Sequence, residues 1–98
     1  MNLQALMKQA QSMQKNIMNS KSEIEAMTFV GESELVEVKM NGKKEVLSVK
    51  IKQTDLEKDD IEILEDMIMI ATNDAISKIN KEIEKKMGSQ AGAFGDLF

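Results

Sequence analysis

The chain has 98 residues, room for one domain and one small core. It contains no Cys, no His, no Arg, no Trp, no Tyr and no Pro. That removes disulfides, thiolate zinc sites, the usual general base and every guanidinium fork, and favours a binding or structural protein over an enzyme. The longest apolar run, Met67–Ala71, is far short of the ~20 residues of a membrane helix, and no apolar segment near the N-terminus resembles an export signal. The expectation is a cytoplasmic protein with no cofactor, no small-molecule substrate and no membrane partner.

The formal net charge of −4 is unevenly distributed. Residues 1–22 carry Lys8, Lys15 and Lys21 and no acid. Residues 23–52 are nearly balanced, and residues 53–74 hold eight acids against Lys58. Residues 75–98 turn mildly basic again through Lys78, Lys81, Lys85 and Lys86. Taken singly, each lysine is explained as a solvated helix position.

Residues 1–27 read as one helix. Leu3, Ala10, Ile17 and Ile24 fall at heptad position a; Leu6, Met13 and Met27 fall at d, with Ser20 the one polar exception. The remaining positions are mostly amides and Lys. So narrow an apolar stripe covers a partner helix and not a broad core, so this helix is expected to project as an arm.

The period then changes to two. Val36, Val38 and Met40 alternate with polar residues, as do Leu47, Val49 and Ile51. Asn41-Gly42 between them signals a hairpin with a type I′ turn, which needs positive φ at both residues. A two-residue loop places Val36 opposite Leu47. A four-residue loop places Val38 opposite Leu47 and Val36 opposite Val49, and is preferred because it pairs more apolar residues. Thr28-Phe29-Val30 is expected to add a short third strand. So small a sheet needs a helix over its apolar face, or a second copy beside its edge.

The last element is a second long helix. Thr54–Glu57 and Asp59–Glu62 both fit a capping box, which accounts for the clustered acid better than a weak cation site does. One stripe runs Ile61, Leu64, Ile68, Ala71, Ala75, Ile79, Ile83 and Met87. A second, Ile63, Met67 and Ile70, occupies only the first half and is assigned to a homodimer interface. Gly88 ends the helix. The expected organisation is one α+β domain over residues 1–87, with two helical arms and a flexible tail over 88–98.

No motif carries chemistry. Ser12-Met13-Gln14-Lys15 matches S-x-x-K, but on a slender helix without the cleft that acyl transfer needs. No Gly-rich phosphate loop precedes a helix.

The chain resembles the YbaB/EbfC family of small bacterial nucleoid-associated proteins. The matching residues are Leu6–Gln11 and Met13-Gln14, then Val30–Ser33 and Leu35–Gly42. They continue through Glu45–Ile51, Leu64–Asp66 and Asn73–Ala75. They are collinear over nearly the whole chain, and their order and spacing are more specific than any one of them. The resemblance implies a homodimer with paired arms that binds duplex DNA between or along its first and last helices. Lys8, Gln9, Gln11 and Gln14 match the family motif, and the charge distribution adds Lys15, Lys21, Lys78, Lys81, Lys85 and Lys86. Glu34 replaces the Gly-rich run the family often carries before its second strand, and the Pro often found after its third strand is missing at Lys52-Gln53. The lack of Arg removes the main guanine reader, so any DNA contact is expected to run through phosphates with low sequence specificity. The competing expectation is a protein-interaction module that clamps a partner helix or client chain between its amphipathic arms.

Overall fold

The computed structural model describes residues 2–88. The chain folds as α+β: α1 (Leu3–Ala26), β1 (Thr28–Glu32), β2 (Val36–Asn41), β3 (Val46–Ile51) and α2 (Asp60–Met87). The molecule measures 70 × 20 × 16 Å with a radius of gyration of 18.8 Å. A spherical domain of this length has a radius of gyration of about 13 Å. The helices account for the elongation, since both run past the small sheet.

α1 starts where the Asn2 side chain accepts the Gln4 N–H at 3.0 Å, so its cap comes from sequence. Along it only Ile17 and Ile24 are buried. Leu3, Leu6 and Met13 of the same stripe remain exposed, and the first half of the helix projects. α2 begins at Asp60, and neither expected capping box forms in full. Asp59, at the cap position, is helical and makes no side-chain cap bond. Instead the Asp60 carboxylate accepts the Glu57 N–H at 2.9 Å, the backward half of a box whose forward half Glu57 is too long to supply.

The sheet is antiparallel in the order β1-β2-β3. Its helix-facing side carries Phe29, Gly31, Val36, Val38 and Met40, all buried. One cluster joins Phe29 and Met40 to Ile17 and Ile24 of α1 and to Ala75, Ile79, Ile83 and Met87 of α2. A second joins Val36 and Val38 to Ala71, with Leu64, Met67 and Ile68 against it. Side chains as completely buried as Ile24, Met40 and Ile79 stabilise the fold by roughly 1.5–3 kcal/mol each. Ile61, expected on the main stripe, is exposed instead, because it lies before the helix reaches the sheet.

The β2–β3 register differs from both sequence expectations. Val38 pairs with Val49 and Val36 with Ile51, with an irregularity at Lys39/Met40 that sets Val46 opposite Met40. The turn explains the shift. Neither Asn41 nor Gly42 takes positive φ; that conformation falls on Lys44, at φ 64°. The Lys44 N–H donates to the Asn41 carbonyl at 3.0 Å and the Asn41 N–H to the Glu45 carbonyl at 3.1 Å, which makes a longer loop than the type I′ turn. Gly42 serves a different purpose: a Cβ there would overlap the Ile24 carbonyl, so its bare backbone lets α1 close onto the turn.

β3 stands apart from the core. Every one of its residues is exposed, although Val49 and Ile51 pair with fully buried residues of β2. α2 covers β1 and β2 and leaves the apolar side of β3 open.

Candidate nucleic-acid interface

The two helices meet at their C-terminal halves. Ile17 and Ile24 of α1 pack with Ile79, Ile83 and Met87 of α2, so the expected seam between the arms is present. The Lys86 ammonium reinforces it by donating to the Glu23 carboxylate at 2.9 Å. That bond holds the ammonium above its ordinary range, with Glu82 adding to the effect. A groove of about 350 Å³ runs beside the seam, lined by Met13, Asn16, Ile17, Ser20, Lys86 and Met87. A second, apolar groove follows α1 outward past Met13, Ala10 and Leu6.

The seven arm lysines divide into two groups. Lys21 pairs with Glu25 at 3.0 Å, one helical turn on. Lys78 donates to the Val30 carbonyl at 2.6 Å and pairs with Asp74 at 3.3 Å. Lys86 binds Glu23. Lys78 and Lys86 tie α2 to β1 and α1, Lys21 pairs within its own helix, and all three have less charge to offer a ligand. Lys8, Lys15, Lys81 and Lys85 are exposed and make no ion pair or hydrogen bond among the described residues. Of the amides, Gln9 lines both grooves and Gln14 the outer one, while Gln11 is exposed and lines neither.

The residues assigned to self-association also separate. Ile63 and Ile70 are 49 % and 47 % exposed. Met67, between them on α2, packs half-buried against the Val36/Val38/Ala71 cluster of its own chain, and its carbonyl accepts the Ser33 hydroxyl at 2.9 Å. The apolar side of β3 adds to the open surface, with Val49 at 49 % and Ile51 at 39 % exposure. The alternation of β3 matches that of β2 and predicts an equally covered strand; nothing in the alternation tells which strand lies beyond the helix.

Among the described residues no helix is long and apolar enough to cross a membrane, and no three carboxylates converge as a metal site.

The sequence profile of the YbaB/EbfC DNA-binding family matches residues 1–94. The chain belongs to this family. A nucleoid-associated protein of Streptococcus uberis is 42 % identical over 94 residues, covering 94 % of this chain and 95 % of that one. One from Lactococcus lactis is 44 % identical over 90 residues, covering 90 % of this chain and 91 % of its own. A third, from Ligilactobacillus salivarius, is 38 % identical over 90 residues, covering 90 % and 86 %. The expected family resemblance therefore holds across nearly the whole chain.

Proposed function

We propose that this chain acts as a nucleoid-associated, non-enzymatic homodimer that binds duplex DNA along its helical arms, through phosphates and with little regard for sequence. Residues 1–87 would be the folding unit; most of the expected tail, from Ser89 on, lies outside the described residues. The observation that carries the reading is the set Lys8, Lys15, Lys81 and Lys85, unpaired among the described residues on two helices seamed together. Lys alone supplies point charges without planar forks, which suits backbone contact and not base reading. The acid-rich stretch 53–74 opposes binding only where it faces the duplex, since charges beyond ~8–10 Å are screened.

Self-association has its own support. An open β3 edge with exposed Val49 and Ile51, and the exposed Ile63 and Ile70 of α2, are apolar surfaces that a single copy leaves wet and a two-fold dimer would cover.

The test is a duplex-DNA gel shift with two unrelated sequences. Equal affinity for both, with about a thousandfold loss between ~50 and ~200 mM salt for some six neutralised phosphates, is the expected result. One observation favours a second reading. The exposed stripe Leu3, Leu6, Met13 could seat a partner helix, and salt-indifferent or absent DNA binding would move that reading ahead.

A further inference from the structure

A second group of lysines lies on and beside the face of the sheet turned away from both helices. Strand alternation puts Val36, Val38 and Met40 on the helix side and therefore Lys39 on the other, opposite Ser48, with Lys50 two residues along β3. Lys43 and Lys44 stand in the adjoining turn. All four are exposed and make no side-chain ion pair or hydrogen bond among the described residues. The nearest acid in sequence, Glu45, is held by the Asn41 side-chain amide at 2.9 Å. The other acids of this face, Glu32 and Glu37, pair across β1 and β2 at the end away from the turn, where Lys50 stands opposite Glu37.

Two features separate this patch from ordinary solvated lysines. Edge protection accounts for Lys50 on β3, but Lys39 lies on the central strand and the other two lie in a turn. Lys44, moreover, occupies the left-handed region at φ 64°, where glycine is the relaxed choice. The chain keeps a charge at a position whose backbone disfavours it, and such strain concentrates at functional sites. The turn is also preorganised. Asn41 Oδ1 accepts the N–H of Lys43 at 2.9 Å and of Glu45 at 3.1 Å, and Gly42 wedges the loop against the root of α1.

We propose that this outer face, Lys39, Lys43, Lys44 and Lys50, is a second surface for duplex phosphates, distinct from the arms, so that one molecule holds two duplexes. The inference rests on the reading of duplex DNA as the ligand. Lys8 lies about 24 Å up α1 from Ile24, where the turn packs, and Lys39 and Lys50 lie on the side of the sheet away from the helices. The two lysine sets therefore address different directions.

The experiment captures a labelled second duplex on an immobilised first duplex loaded with protein, using the full chain. The Lys39→Gln/Lys43→Gln/Lys44→Gln/Lys50→Gln variant should bind the first duplex within about twofold of wild type and recover at least about fivefold less of the second, since the charges that meet its phosphates are removed. Lys44→Gly should melt at a higher temperature than wild type while recovering less second duplex, a combination that a purely structural role would not produce. Recovery unchanged in the quadruple variant overturns the proposal, as does loss of first-duplex affinity as deep as that of an arm variant, which would mean one continuous surface. A wild type that binds the first duplex and never the second overturns this proposal alone. A wild type that binds neither overturns the DNA reading with it.

Discussion

The Asp74 carboxylate accepts the backbone N–H of Glu32 at 2.9 Å, across 42 residues of sequence. One turn further along α2, Lys78 donates to the Val30 carbonyl and pairs back to Asp74. Side chains of α2 thus occupy the backbone of β1, the strand at one end of the sheet. The strand at the other end, β3, has no such cover. This asymmetry directs any edge-to-edge pairing to β3.

The same hydrogen bond makes stability respond to acid. The Glu32 N–H outweighs the opposing cost of desolvation and, with lesser help from Lys78 and Lys81, holds Asp74 below its ordinary value of 3.8. A carboxyl depressed on folding contributes stability that is complete above the unfolded value and is lost as pH falls through the folded one. Asp74→Asn should therefore melt below wild type near neutral pH. The gap should narrow as pH drops below 3.8 and close once the wild-type carboxyl is protonated. Thermal melts of both proteins across that range check it; a gap that stays constant with pH would mean the charge is immaterial.

Two glycines should be intolerant for a reason unrelated to φ. A Cβ at Gly31 would collide with the Ala71 carbonyl and the Ala75 nitrogen, and one at Gly42 with the Ile24 carbonyl. Backbone atoms cannot swing aside, so Gly31→Ala and Gly42→Ala should each cost about 3 kcal/mol or more, measured by urea unfolding. Gly88, at φ 58° and ψ −131° in a backbone region nearly confined to glycine and with nothing close to it among the described residues, should lose about 1–3 kcal/mol as Ala. In sequence, Gly42 carries the strongest turn signature in the chain, because Asn-Gly is the common type I′ pair. Its actual constraint comes from a helix that ends sixteen residues earlier, which no local pattern reveals.

The exposed apolar residues of β3 and of α2 yield a mass prediction. Wild type should sediment at twice the chain mass at micromolar concentration. Ile51→Glu and Ile70→Glu should each shift it toward the single-chain mass, because an unpaired charge buried in an interface costs about 3–5 kcal/mol. Neither residue belongs to the buried core, so far-ultraviolet circular dichroism of the variants should match wild type. A wild type that stays monomeric would remove the dimer from the proposed function.

The heptad stripe of α1, the alternation of β2 and the periodicity of α2 are legible because each is local, and together they specify the α+β fold. The pairings among the arm lysines are not. Lys78 reaches Val30 and Lys86 reaches Glu23 across 48 and 63 residues, so sequence alone ranks them equal to Lys8 and Lys15. The basic hairpin is hidden by arithmetic of another kind: residues 23–52 are nearly neutral because they also count Glu23 of α1, Glu25, which lies near the turn but is paired with Lys21, and Glu32 and Glu34 at the far end of the sheet.

That division of the lysines gives the sharpest check on the arms. Lys8→Gln with Lys15→Gln removes two charges that hold nothing else among the described residues, so the melting temperature should stay within about a degree or two. Affinity for duplex DNA should fall to a similar extent on every sequence tested. If both lysines touch phosphates, the slope of log K against log salt should become shallower by about 0.9 for each phosphate no longer neutralised. Lys86→Gln should behave differently. It leaves Glu23 without its partner at the seam, so its main effect should be a small loss of thermal stability, with a lesser change in salt slope. Gel shifts over a salt series, with a melt of each variant, separate the two patterns. Should Lys86→Gln flatten the slope as much as the Lys8/Lys15 pair does, the seam would open on DNA and release Lys86 to the phosphates. An unchanged slope in the Lys8/Lys15 variant would remove the projecting half of α1 from the interface.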